Sequence, residues 1–258
     1  MKAHIVLTRV LTALVAVFLV APSLVLIPLS FTGKKSLAFP PDSWSLQWYE
    51  NLFARPIWID SIMTSLQVSL LVALLSLLLG VPAAFALARG GFPFTTAIYG
   101  IVIAPMIVPV MALAVGMFSL FLNWKLTGSV AGFVLAHTVL AVPFVVVTSS
   151  AAISGFDQNL ERAASSLGAS PLRVFLKITL PGIAGGVIAG GLFAFVTSFD
   201  ETVIALFLQG PTARTLPATM YASVVNEVDP TMAAVATLLI LATALVIGAT
   251  FVPWRKKK

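Results

Sequence analysis

Residues 155–181 read GFDQNLERAASSLGASPLRVFLKITLP and join two apolar runs, Leu126–Phe156 and Ile178–Leu208. At helical spacing Leu160, Ala163, Ala164 and Leu167 share one face. Gly168 is placed to end that helix in the left-handed conformation that glycine adopts without a steric penalty. Ser170 is a natural N-cap and Pro171 a natural first residue for a second helix. Leu172, Phe175 and Leu176 are expected to face inward, and Pro181 marks the start of the next apolar run. The stretch is predicted as two short helices with a hinge, a small-residue projection suited to a groove in another protein. A passive connector would not need two capped helices.

Outward from this stretch the chain is nearly all apolar. Of 258 residues 59% are hydrophobic and 9% charged, with a mean hydropathy of +1.06. Soluble domains carry about 25% charged residues, so an ordinary soluble enzyme is excluded. Uncharged runs cover residues 10–31, 61–88, 90–124, 126–156 and 178–208, the last broken by Asp200-Glu201, and Pro230–Trp254 is a final span. Each span needs about 20 apolar residues, which predicts six spans over about 10–31, 61–88, 95–122, 128–154, 182–208 and 231–253. No period-2 alternation supports strands. The first run lacks a small-x-small cleavage site and is too long for a signal core, so it is expected to be an uncleaved anchor. Pro22, Pro28, Pro82, Pro105, Pro109 and Pro143 should kink their helices, and are read as shaping a moving pore or as tolerated in a packed bundle.

Net charge is +6, and in a membrane protein this reports orientation rather than nucleic-acid binding. With the N-terminus inside, ten Lys and Arg fall on cytoplasmic segments and five outside. That bias predicts N-in/C-in, with Trp254 and Arg255–Lys258 as an interfacial ring and basic stop, or a lipid-headgroup cluster. In the first outside segment, Leu46, Tyr49, Leu52 and Phe53 predict an interfacial helix anchored by Trp44, Trp48 and Trp58. A docking surface for an external partner is the other reading. Absence of cysteine excludes disulfides and thiolate sites, and two histidines do not make a metal site.

Ala163, Ala164 and Gly168, followed after nine residues by Ile178 with Leu180 and Pro181, resemble the cytoplasmic "EAA" loop of permease subunits of ATP-binding-cassette (ABC) importers. That loop reads Glu-Ala-Ala, three residues, Gly, nine residues, Ile-x-Leu-Pro. Arg162 holds the family's Glu position, with Glu161 just before it. Ala136-His137-Thr138 with Pro143-Phe144, Ser198 to Glu201, Leu216 to Tyr221 and Asp229-Pro230 look like the spermidine/putrescine-type branch. The resemblance implies an all-α, polytopic type I ABC importer permease fold: one transmembrane domain over 1–258 in a bacterial inner membrane, with a coupling loop at 155–181. It implies that Glu161, Arg162, Ala163, Ala164, Leu167, Gly168, Ala169 and Ser170 dock an ATPase. The implied partners are a second permease, two ATPase subunits and an extracytoplasmic solute-binding protein. ATP and magnesium would bind those ATPases; this chain has no Gly-x-x-x-x-Gly-Lys-Ser/Thr loop and needs no cofactor.

Asp200 and Glu201 are the only acids inside any predicted span, and a charge there costs about 2.5–3.5 kcal/mol on insertion scales. They should face a cavity or a partner's charge, and both can border one polar sector of a helix. For a cationic solute such as a polyamine, a carboxylate replaces part of an ammonium's hydration. His137 and Tyr221 join them as candidate path residues, although a lone intramembrane His more often bonds a neighbouring helix. Asn226, Glu227 and Asp229 read as an acidic vestibule or a solvated loop. Iron, opine, phosphonate or amino-acid-like solutes suit the same permease role. A stand-alone secondary transporter would leave the 163–181 pattern unexplained, and no metalloprotease or Gly-x-Ser-x-Gly motif supports a membrane enzyme.

Overall fold

The computed structural model describes residues 2–91, 93–211 and 213–251, so the terminal Trp254–Lys258 cluster lies outside the described residues. Among those described there is no strand, only an isolated bridge between Thr32 and Trp44. Lipid offers backbone groups no hydrogen-bond partner, so continuous apolar runs settle as helices that satisfy themselves. In chain order these are α1 (Lys2–Leu29), α2 (Gln47–Ala54), α3 (Pro56–Arg89), α4 (Thr95–Ile107), α5 (Val110–Asn123) and α6 (Val130–Ser154). They continue with α7 (Gln158–Ser166), α8 (Pro171–Val174), a π-helical turn (Phe175–Thr179) and α9 (Leu180–Asp200). The last are α10 (Val203–Leu208), α11 (Leu216–Asn226) and α12 (Thr231–Phe251). Five helical stretches are long and apolar enough to cross a membrane, and α4 with α5 would make a sixth. The all-helical membrane class expected from composition is the one that forms.

Two expected spans are broken. The stretch read as one span over 95–122 is two helices meeting at 98°. Val108 is extended there (φ −69°, ψ 134°), as the residue before a proline tends to be, and Pro109 has no N–H to continue the ladder. The span read as 182–208 starts earlier: α8, the π turn and α9 run continuously from Pro171 to Asp200. It also stops earlier, because Glu201 is extended (φ −70°, ψ 115°) and a new helix, α10, begins at Val203.

The residues gather into two compact units, one of residues 60–219 and one of 1–59 with 220–258. The first is centred on the packing of α6 against α9. Gly182, Gly186 and Gly190 lie one turn apart on α9; Gly182 packs under the Phe156 ring, and Gly186 and Gly190 meet the α6 backbone. A β-carbon on Gly186 would lie 2.8 Å from the Thr148 carbonyl oxygen, and one on Gly190 2.9 Å from the Val145 Cα. In lipid, where burying apolar surface between helices brings little gain, such small-residue contact is what holds helices together. Buried Val68, Val72, Phe133, Ala136, Val145, Ala194, Ile204 and Leu208 complete this core. Two buried hydroxyls of α3 tie it to α11: Ser65 Oγ accepts from the Leu216 N–H at 2.7 Å, capping α11, and Ser61 and Thr219 pair at 2.7 Å.

In the second unit α12 packs on α1 and α2. The Asn51 amide donates to Thr231 Oγ1 at 2.7 Å, and Arg55 pairs with Asp229 at 2.9 Å. The other Asp229 oxygen accepts from the Thr231 N–H at 2.9 Å and caps α12, so this residue is a latch rather than an open vestibule acid. Glu227 stays exposed, 3.9 Å from Lys35, while Asn226 is exposed at the end of α11. The interfacial-anchor reading of the tryptophans also changes. Trp58 is buried, and Trp48 Nε1 donates to the Thr32 carbonyl at 2.6 Å. Trp48 is half-buried and Trp44 is exposed. Tyr49 and Leu52 point inward, while Leu46 and Phe53 are exposed.

Candidate functional site

The 155–181 stretch folds as two helices for local reasons visible in its bonds. Asp157 caps α7 by accepting from the Asn159 N–H at 2.9 Å. At the other end Gly168 takes φ +83°, the Gly168 N–H reaches the Ser165 carbonyl at 3.0 Å, and the Ala169 N–H reaches that of Ala164 at 3.1 Å. This is the Schellman closure, in which two otherwise unpaired carbonyls are satisfied through a left-handed glycine. Ser170 occupies the N-cap position of α8 with Pro171 behind it, but its side chain makes no capping bond.

The two faces of α7 differ. On one side Leu160, Ala163 and Leu167 are exposed, Leu167 at 89%, together with Arg162. Ala164 is buried, and Ala169 is half-buried. Beyond the turn, Leu172 and Leu176 are exposed rather than inward-facing as expected; Val174 is the buried residue, and Phe175 sits edge-on to Phe85 at 5.4 Å. The π turn that follows Val174 rephases the helix, which spacing alone does not reveal.

On the other side Glu161 turns into the protein. Both of its oxygens accept from Arg89 Nη1, at 2.8 and 2.6 Å, and Oε1 also accepts from Thr179 Oγ1. The Arg89 guanidinium lies 5.3 Å from the Phe85 ring centroid and 5.9 Å from that of Phe156. Burial pushes the Glu161 carboxyl up, but the hydrogen bonds from Arg89 and Thr179 and the guanidinium charge outweigh it and hold the group below the ordinary glutamate range. Arg89 and Thr179 were not singled out from sequence, where Arg89 counts only toward topology. The one available signal was a basic residue ending a span within reach of a loop acid.

The acidic pair separates. Asp200, the last residue of α9, is exposed at the lip of a cavity of about 420 Å³ lined by Val196, Thr197, Glu201, Thr202 and Val203. Glu201 is buried, and its oxygens accept from the Val203 and Ala205 N–H groups at 3.1 and 3.2 Å. It caps α10, while Asp200 keeps an exposed carboxylate at the same cavity. His137 is fully buried on α6, its Nδ1 3.0 Å from Ser198 Oγ on α9, the interhelical role expected of a lone histidine, and it lines no part of this cavity. Tyr221 is about half exposed on α11.

Residues 76–252 match the family of binding-protein-dependent transport system inner membrane components. The chain belongs to this family. It is 34% identical over 244 residues to the putrescine transport system permease protein PotI of Escherichia coli (strain K12), covering 92% of this chain and 85% of the relative. It is 32% identical over 232 residues to the spermidine/putrescine transport system permease protein PotC of Haemophilus influenzae, covering 89% and 90%. In fold it is similar to a bacterial ABC transporter involved in import of the acidic polysaccharide alginate, with a TM-score of 0.71, 14% identity and 97% of each chain covered. This family member is a multi-pass bacterial inner-membrane protein, an ABC importer permease subunit and not itself an enzyme.

Proposed function

We propose that this permease forms half of a path for a small cationic solute, a polyamine such as putrescine or spermidine. In this reading it pairs with a second permease and is driven by two ATPase subunits docked on the 155–181 loop. An extracytoplasmic binding protein delivers the solute. The observation that carries the coupling role is the bare apolar face of Leu160, Ala163 and Leu167 beside exposed Leu172 and Leu176, on a loop whose opposite side is tied into the bundle. A capped helix with an uncovered apolar face fits a groove in a partner. The ten-to-five bias of basic residues supports N-in/C-in, which sets this loop on the cytoplasmic side where ATP is found.

For the solute, the names borne by relatives at 32–34% identity and the exposed carboxylate of Asp200 at its cavity point the same way. Since an alginate importer has the same fold, fold alone does not select the solute's charge. ATP-driven approach of the ATPases would push the loop, and the helices anchored to it would tilt. Co-purification from the native membrane with identification of partner chains by mass, followed by uptake of radiolabelled putrescine into proteoliposomes, tests this. Two ATPase copies and saturable uptake are expected; transport by the isolated chain, or none with the full set of partners, would overturn it.

A further inference from the structure

Glu161 is one of the α7 residues that sequence resemblance would set against the ATPase, next to Arg162 at the family's Glu position, yet its carboxylate is about four-fifths enclosed and aimed the other way. It bonds Arg89 at the end of α3, 72 residues away, and Thr179 in the π turn that leads into α9, 18 residues away. Among the described residues these are the only side-chain hydrogen bonds that leave α7 for other elements. Arg89 is held in turn by the Phe85 and Phe156 rings, and Phe156 also lies over Gly182 of α9. We propose that Arg89, Glu161 and Thr179 form a strut that makes the loop, α3 and α9 move as one body, so that Glu161 positions the coupling helix instead of touching the ATPase. The inference rests on the coupling role proposed above and adds how displacement of the loop reaches the membrane helices.

The geometry suits a force-bearing joint. A charge-assisted pair with both carboxylate oxygens engaged resists rotation better than a single neutral bond. Among the described residues the Arg89 Nε and Nη2 groups are enclosed without a hydrogen-bond acceptor, and Glu161 is the one carboxylate that pairs with the cation. Loss of Glu161 therefore frees α7 and strands a charge at the foot of α3. The bare face of Leu160 and Leu167 would still dock, and the loop would swing without carrying the bundle.

Two readouts test the strut. In proteoliposomes holding the full complex, with radiolabelled putrescine as probe, solute taken up per ATP hydrolysed should fall about tenfold or more in Glu161→Gln and in Arg89→Gln, the factor that one charge-assisted hydrogen bond corresponds to. The exchanged pair, Arg89→Glu with Glu161→Arg, should recover most of the ratio, which a variant that merely misfolds would not. The chain has no cysteine, so spin labels at Ser166→Cys and Leu78→Cys report only their own separation. That separation should be narrowly distributed in the otherwise native purified chain and broadened in Glu161→Gln. An unchanged ratio, or equal distance distributions with and without Glu161, overturns the strut. If no ATPase accompanies the native protein, the coupling reading fails, and the distance measurement still decides whether the strut exists.

Discussion

Glu161 and Glu201 are both enclosed carboxylates that sequence reading placed at functional surfaces, and in the folded chain both turn inward. They do so to different ends. Glu201 accepts from amides two and four residues ahead, so it starts α10 and binds nothing distant. Glu161 reaches side chains on two other elements and joins them. The contrast separates a carboxylate that shapes one helix from one that links several. Leu167 on α7 and Asp200 next to Glu201 face outward instead.

The strongest break lies in the packing beneath both sites. Gly190→Val sets a branched side chain where even a β-carbon would lie 2.9 Å from the Val145 backbone, and no rotamer relieves a clash with backbone. Loss of the folded protein, seen as aggregation on size-exclusion chromatography in detergent, is expected. Next, Leu167→Asp should remove the ATPase from the purified complex while the isolated chain keeps its thermal midpoint, because the side chain is 89% exposed and surface changes of this kind stay within about 0.5 kcal/mol. A lowered midpoint would mean that the face is covered within the chain.

The acidic pair then divides the comparison. Glu201→Ala should lower stability by about 1 kcal/mol, the usual worth of an N-terminal helix cap, read as a fall in the thermal midpoint. Asp200→Asn should leave the midpoint in place and reduce putrescine uptake. If the two variants exchange phenotypes, the assignment of cap and solute contact is reversed. At the loop, the native Glu161 carboxyl titrates lower than in the unfolded chain. Its contribution is therefore fully present above the ordinary glutamate pKa of about 4.3 and lost as pH falls through the lower folded value. The distance between labels at residues 78 and 166 should thus hold from pH 7 to about pH 5 and broaden only below the ordinary glutamate range. The smallest effect belongs to the exposed pair of Lys34 with Asp42, 2.7 Å apart. Lys34→Ala should leave the thermal midpoint unchanged, since solvent screens such pairs.

Much was legible from residue order. Charge scarcity and unbroken apolar runs determine a helical membrane protein, because lipid penalises any other backbone arrangement. The loop's left-handed Gly168 and the N-cap position of Ser170 were also readable, since they depend on neighbours within a few residues. Local chemistry suffices wherever the interaction is local. The turn at Pro109 had a visible cause but not a visible angle, which depends on how α4 and α5 pack. Only the tertiary structure could decide that Glu161 meets Arg89 across 72 positions, that Glu201 turns inward while Asp200 turns out, and that Trp58 is core rather than anchor. These outcomes depend on which helices lie side by side, and close glycine contacts set that where burial of apolar surface cannot discriminate among partners.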